Sequence, residues 1–227
     1  IDESVRRILR NKFDLGLFET PFADEAKVNA LVNLPEYVSL GMTAQRNAVV
    51  LLDNESITLP LAAETRIFVD GLDPSVAAKY GTVVETPDEA DVVLLFLNTV
   101  FNGNQPAGTD RTLDQMMASR FPDTNLAFSE EILAKAASHS DVSQLVTLVD
   151  LNRPAVLTEL NGMSDALVGT FGVSDEAMLD VVFGKHNPVG KLPFELPSSM
   201  AEVEAQLEDV PDDTANPLFP YGWGLSY

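Results

Sequence analysis

The side chains that most often perform chemistry in proteins are sparse in this sequence. It contains no cysteine, which excludes disulfides, cysteine-ligated zinc, iron–sulfur clusters and thiol nucleophiles. His139 and His186 are the only histidines, and neither lies at the spacing of a metal-binding cluster. No Gly-x-Ser-x-Gly segment is present, so the nucleophile position of a serine hydrolase is missing. We therefore expect no metal and no other cofactor.

A glycine-rich segment at 184–191 superficially fits a phosphate-binding loop. It has one residue too many between Gly184 and Gly190, and Leu192 stands where a hydroxyl that binds Mg²⁺ is required. The dinucleotide fingerprint Gly-x-Gly-x-x-Gly is also absent from the turn that begins at Asp70. A nucleotide-binding α/β domain is therefore the least favoured of the function classes that we considered.

The charge of the chain excludes further classes of partner. Lys and Arg total 14 and Asp and Glu total 35, which gives a formal net charge of −21. Nucleic acids need basic side chains to neutralise their phosphates, and anionic membrane surfaces repel acidic proteins. No apolar run approaches the ~20 residues of a membrane-spanning helix. The acidic segment 208–213 lacks the spacing of a calcium-binding loop, so we interpret it as a solvated loop.

The elements that must position a site alternate between strand and helix. Segments rich in apolar and β-branched residues predict strands at 66–69, 82–85, 91–97, 144–149 and 166–170. Segments with helical periodicity or capping residues predict helices at 74–80, 129–138, 154–160 and 175–183. A further helix is predicted to begin at Thr43 and to continue into 49–52. The alternation predicts a three-layer α/β sandwich, with a mostly parallel sheet flanked by helices.

Functional residues of such sheets gather in the loops at the carboxyl ends of the strands. Here those loops are 70–73, 98–112, 150–153 and 171–174. The connection 98–126 is the longest of the domain, and loops of this length inside a compact domain are often functional. We therefore expect the site to include this connection.

A helical arm precedes the sandwich. Residues 1–15 predict an amphipathic helix, with Asp2 as its cap and with Val5, Ile8 and Leu9 at helical spacing. Residues 21–41 contain prolines and a short helical stretch, which is typical of a connecting segment.

Four segments, taken in order and spacing, carry a family resemblance. They read VRRILRNKF with GLF (5–18), AQRNAVVLLDN with LPL (44–61), VVFGKHNPVGKLPF (181–194) and FPYGWGLSY (219–227). Together they resemble the C-terminal half of glycoside hydrolase family 3, the family of β-glucosidases and β-xylosidases. The similarity spans essentially the whole chain.

The resemblance implies one part of a two-domain enzyme that hydrolyses β-linked glucosides or xylosides. Residues 1–20 then correspond to the last helix of a barrel domain, 21–41 to an interdomain linker, and 42–227 to the sandwich. The family's nucleophile is an Asp of the barrel, in a Ser-Asp-Trp context, and no such tripeptide occurs here. Its partners would be its own N-terminal barrel and a carbohydrate, and its location periplasmic or extracellular in a bacterial-type enzyme. We expect the isolated chain to be inactive.

Retaining glycoside hydrolysis needs a second carboxyl group as proton donor. In many family members this is a Glu in the loop after the strand that corresponds to 91–97, but no Glu lies between Glu89 and Glu130. Asp110 is the only carboxylate in the near part of the loop, and Gly-Thr-Asp-Arg at 108–111 resembles a turn of the family. Asp110 is thus the catalytic candidate and Arg111 the substrate-binding candidate. The alternative, which we favour, is that they form a structural pair or hold a sugar hydroxyl.

Loss of the donor Glu motivates a different function class, a non-catalytic carbohydrate-binding or interaction module. The barrel-like first helix argues against it, because a free-standing module has no use for such a helix. The apolar side of residues 1–20 would pack against the barrel or, without it, against another copy of the chain.

Overall fold

The computed structural model describes residues 1–99, 125–207 and 209–227. The chain divides into two compact units, Ile1–Met42 and Thr43–Tyr227. In the first unit lie α1 (Asp2–Asp14) and α2 (Glu25–Leu31), and α3 (Pro35–Asn47) begins there. No residue of 1–42 is buried.

A six-stranded sheet forms the centre of the second unit. Its strands are β1 (Val50–Asp53), β2 (Arg66–Asp70), β3 (Thr82–Val83), β4 (Val92–Asn98), β5 (Gln144–Asp150) and β6 (Ala166–Thr170). Their spatial order is β1-β6-β5-β4-β2-β3, and every neighbouring pair is parallel except β1 with β6. The predicted α/β class with a mostly parallel sheet is therefore confirmed.

The prediction that a helix begins at Thr43 and runs through 49–52 is wrong. The helix α3 begins at Pro35 and ends at Asn47, and the apolar residues after it form β1. Val49 and Leu51 pack on one face of the sheet, whereas Val50 and Leu52 pack on the other. An apolar run of this kind is buried on both sides, and tertiary packing rather than local periodicity decides its conformation.

Helices cover both faces of the sheet. One core layer contains residues of α4 (Pro74–Ala77) and α7 (Asp175–Val182), such as Ala77 and Met178. The opposite layer contains residues of α5 (Glu130–Ser140) and α6 (Thr158–Met163), such as Ala136 and Leu160. A single-turn 3₁₀ helix at Pro87–Glu89 precedes β4. The sheet and the helices on its two faces form the three layers, with one hydrophobic core on each side of the sheet.

A second, two-stranded sheet was not predicted. It pairs β7 (Leu196–Pro197) with β8 (Pro217–Phe219) in antiparallel orientation, and α8 (Met200–Ala205) lies between them in the chain. Leu196 and Phe219 join the same core layer as α5 and α6. None of the described helices is long and apolar enough to cross a membrane.

Candidate functional site

Polar residues end three neighbouring strands at the carboxyl edge of the sheet. Asn98 of β4 is in register with Asp150 of β5, and Asp150 is in register with Thr170 of β6. The strands are parallel, so their ends meet at one edge, which we call the carboxyl edge. This is where α/β proteins hold their ligands.

Asp150 forms hydrogen bonds with several loops of the carboxyl edge. Its side chain is buried; Oδ1 accepts hydrogen bonds from the Gly172 amide at 2.6 Å and the Thr170 hydroxyl at 3.2 Å, and Oδ2 accepts one from Asn152 Nδ2 at 2.8 Å. Its backbone carbonyl accepts from the amide of Thr99 at 3.1 Å. One residue thus fixes the loops after β5 and β6 and the point where the chain leaves β4.

Thr99 is the last described residue before the long connection. Its side chain is buried, and its hydroxyl has no hydrogen-bond partner among the described residues. The neighbouring Asn98 is exposed. The chain therefore leaves the sheet from an anchored backbone position, beside an exposed amide side chain that can donate and accept hydrogen bonds.

A second polar cluster lies at the end of β2. Asp70 accepts hydrogen bonds from Lys135 Nζ at 2.8 Å, and its Oδ2 lies 3.0 Å from Nε2 of His139, with both partners on α5. Burial acts to raise the pKa of Asp70, but the hydrogen bonds from Lys135 and His139 outweigh it and hold the pKa below its ordinary value. Gly71 follows at φ +92°, where a Cβ would collide with the carbonyl oxygen of Phe96.

Neither carboxylate has the surroundings of a proton donor. A general acid must hold its proton near neutral pH, which requires a raised pKa. The hydrogen bonds from Lys135 and His139 keep the pKa of Asp70 low, and both side-chain oxygens of Asp150 already accept hydrogen bonds from the protein. Both therefore organise the edge instead of supplying protons to a substrate.

The sequence-based candidates Asp110 and Arg111 lie outside the described residues, and their roles stay predictions. Sequence reasoning identified the loops at 70–73 and 150–153 but not the networks around their first residues. The available signal was the position of Asp70 and Asp150 directly after apolar strands. Their partners on α5 and β6 are distant in the chain and could not be inferred.

The segments that carry the family resemblance build the scaffold. Asp180 is buried and accepts from Arg46 Nε at 2.6 Å and from the Tyr80 hydroxyl at 2.7 Å. Burial, together with the Asp180 hydrogen bond, raises the pKa of Tyr80. His186 Nε2 lies 2.9 Å from Oδ1 of Asn47, which joins the same two segments a second time.

The last of the four segments, residues 219–227, forms hydrogen bonds with β1. The indole N–H of Trp223 donates to the carbonyl of Leu52 at 2.8 Å, and the hydroxyl of Tyr227 donates to the carbonyl of Val181 at 2.9 Å. Burial raises the pKa of Tyr227. Both partners are backbone carbonyls of the scaffold, so these two aromatic side chains attach the last segment to the core.

A model of a known protein family matches most of this chain. The model of the "Glycosyl hydrolase family 3 C-terminal domain" matches residues 77–227. The chain belongs to this family. The fold, the element order and the four segments of the resemblance agree with that assignment.

Family 3 relatives match over the whole of this chain. "Beta-glucosidase C" of Emericella nidulans is 43% identical over 100% of this chain and 36% of its own length. "Periplasmic beta-glucosidase/beta-xylosidase" of Dickeya chrysanthemi is 37% identical over 100% of this chain and 34% of its own length. The chain thus spans about a third of these relatives. They include fungal and bacterial proteins, so the expectation of a bacterial-type enzyme is not confirmed.

Solved structures show the same fold. A beta-glucosidase from Listeria innocua, in complex with isofagomine, superposes with a TM-score of 0.71 at 24% identity, over 100% of this chain and 39% of that chain. A family 3 beta-glucosidase from Bifidobacterium adolescentis superposes with a TM-score of 0.65 at 18% identity, over 86% of this chain and 37% of that chain.

Proposed function

We propose that this chain is the C-terminal portion of a β-glycosidase that hydrolyses β-linked glucosides or xylosides, and that its carboxyl edge forms one wall of the active site. The match of the whole chain to about a third of a β-glucosidase carries the proposal. The anchored edge around Asp150 supports it, because it places exposed loop residues beside the start of the long connection.

The chemistry of the reaction indicates which domain supplies each catalytic carboxyl group. Retaining hydrolysis needs two carboxyl groups about 5 Å apart. The sequence lacks the family's Ser-Asp-Trp nucleophile segment, and the two carboxylates of the described edge are engaged with hydrogen-bond donors. The nucleophile would therefore come from a barrel domain, to which residues 1–20 contribute the last helix and 21–41 the linker, with 42–227 as the sandwich.

The exposed apolar side chains of the first unit support this arrangement. Phe13 is 60% exposed and Phe22 88% exposed, and Val5 and Ile8 of α1 are also exposed. Solvent-exposed patches of this kind are typical of surfaces that pack against another domain or another copy. We propose the barrel of the same enzyme as the occupant, and self-association through residues 1–20 where the barrel is missing.

The full-length enzyme is proposed to act in the periplasm or outside the cell. The support comes from two relatives, the periplasmic beta-glucosidase/beta-xylosidase of Dickeya chrysanthemi and the periplasmic beta-glucosidase of Salmonella typhimurium.

Activity assays test the proposal. The 227-residue chain and the full-length protein are assayed side by side on 4-nitrophenyl β-glucoside and β-xyloside. We expect turnover by the full-length protein and none by the chain alone. Substantial turnover by the isolated chain, or none by the full-length protein on any β-glucoside or β-xyloside, would refute it. Calorimetric binding of xylo- or cello-oligosaccharides without turnover by the full-length protein would instead favour the carbohydrate-binding module.

The role of Asp110 is tested in the full-length protein with Asp110→Asn. Loss of a proton donor slows a substrate with a poor leaving group, such as cellobiose, far more than 4-nitrophenyl β-glucoside, whose leaving group needs little protonation. Asp114→Asn, in the same connection, is the matched control. Equal loss on both substrates would assign Asp110 to a structural or sugar-holding role together with Arg111.

A further inference from the structure

A cavity of about 650 Å³ lies beside the two-stranded sheet, and its wall includes Pro154, which directly follows the loop at 150–153. Its walls come from residues 193–197 around β7, from Val203 of α8, from residues of the segment 206–212, and from Leu126, Pro154 and Tyr221. Most of these side chains are aliphatic, aromatic or proline. A cavity of this size is in the range of small-ligand sites.

One carboxylate is built into the wall of this cavity. Glu195 is only 9% exposed. Its Oε1 accepts hydrogen bonds from the Thr214 amide at 2.8 Å and from Gln206 Nε2 at 3.4 Å. Among the residues that the structure describes, nothing donates to Oε2, and no Lys, Arg or His forms an ion pair with Glu195. Oε2 is therefore the oxygen of this carboxylate that remains to accept a hydrogen bond from a bound group.

Further negative charge surrounds the same place. Asp212 also lines the cavity. The adjacent Asp213 has a buried Oδ1 to which no described residue donates, while its Oδ2 accepts from the amide of Leu207. No described residue in the cavity wall is basic. The site thus offers acceptors and negative charge beside aliphatic and aromatic side chains, without a compensating cation among the described residues of its wall.

The chemistry of the wall selects the ligand. Within the described parts of the chain, no group of three or more His, Asp or Glu side chains could hold a metal ion. A neutral sugar needs several donors as well as acceptors around its ring. Of the described lining side chains only Gln206 and Tyr221 carry donor groups, and Nε2 of Gln206 already donates to Glu195 and Thr214. A guanidinium or ammonium group has only donors, and its stem packs well against apolar side chains.

We propose that this cavity binds one cationic group, a guanidinium or primary ammonium, on an apolar stem. The cation forms a charge-assisted hydrogen bond with Oε2 of Glu195, Asp212 adds attraction at the wall, and the stem lies against Pro211 and Val203. The group is either a basic side chain from another part of the full-length enzyme or a free organic cation. The inference does not depend on glycoside hydrolysis.

Calorimetry and two-dimensional amide NMR of the 227-residue chain test this inference with agmatine, the decarboxylated form of arginine. We expect saturable binding, with shifts of the Thr214 and Gln206 amide signals. The Glu195→Gln variant keeps the acceptor for Thr214 but removes the charge, so its affinity for agmatine should fall about tenfold or more. Glu159→Gln, which changes an exposed acid outside the cavity, should bind agmatine like the wild type.

Glucose and butan-1-ol serve as neutral probes. No saturable agmatine binding, equal binding by a neutral probe, or unchanged affinity in a Glu195→Gln variant with a native-like spectrum would each overturn the inference. The same titration on the full-length enzyme separates the two sources. Agmatine binding there indicates a free cation; binding only to the 227-residue chain, together with a lower Tm of full-length Glu195→Gln, indicates a basic side chain of the enzyme.

Discussion

Arg46 and Asp180 form a largely buried ion pair. The side chain of Asp180 is 7% exposed, and that of Arg46 is 29% exposed. We predict that Arg46→Ala lowers the free energy of unfolding by about 3–5 kcal/mol, because the carboxylate stays buried without its cation. Urea denaturation of the 227-residue chain measures the change.

Arg66→Ala is the matched control for that prediction. Arg66 pairs with Asp91 at the surface, where both side chains are about half exposed and water screens the attraction. Its removal should have little effect on stability. If the two variants lost the same small amount of stability, the Arg46 pair would not be a structural element of the core.

The ion pairs of Asp70 should make the stability of the protein depend on pH. Its pKa in the folded protein is lower than in the unfolded chain, so its ion pairs contribute full stability above the unfolded pKa, near pH 4, and lose it as the pH falls through the folded value. We expect Asp70→Asn to be less stable than the wild type at pH 6, and the difference to shrink towards pH 3. Thermal unfolding at a series of pH values tests this; a difference independent of pH would contradict it.

At the scale of elements, the backbone around Gly190 approaches closely the backbone that leads into β1. A Cβ at Gly190 would collide with the carbonyl group of Val49, which is backbone and cannot rotate away. Gly190→Ala should therefore destabilise the protein by about 1–3 kcal/mol, as overpacking does. Chemical denaturation gives the value.

The control for this substitution is Gly162→Ala. Gly162 lies within α6, and a Cβ there meets nothing within 4 Å. Alanine is the better helix former, so this variant should equal or exceed the wild type in stability. If Gly162→Ala were destabilising and Gly190→Ala had no effect on stability, the close backbone contact at Gly190 would be contradicted.

At the scale of the whole molecule, the buried core begins only after the first unit. No residue of 1–42 is buried, and both core layers consist of residues from Val49 onward. We predict that amides of 1–34 exchange with solvent faster than those of β4, β5 and β6, and that deletion of 1–34 leaves the second unit folded. Hydrogen exchange and the Tm of the shortened chain test this. A large drop in Tm would show that the first unit belongs to the core.

Much of the architecture followed from the sequence alone. The continuous apolar run at 92–97 and the strand–helix alternation after Arg66 predicted a parallel sheet covered on both faces, because local hydrophobic pattern and chain order together restrict such topologies. The four segments of the resemblance identified the family, because each is contiguous in the sequence and needs no tertiary contact to be recognised. Ser129 and Ser174 cap α5 and α7 at the predicted helix starts, whereas Asp2, the expected cap of the first helix, lies inside α1, and the helix predicted at 154–160 begins only at Thr158.

Tertiary structure alone decided the rest. Four features depend on which distant segments of the chain come into contact. They are the antiparallel placement of β1, the hydrogen bonds of Asp150, the Arg46–Asp180 pair and the cavity at Glu195. Arg46 and Asp180 are 134 positions apart in the chain, and no local pattern relates them. Apolar pattern specifies what must be buried, whereas the partner of each buried polar group is specified only once the sheet is assembled.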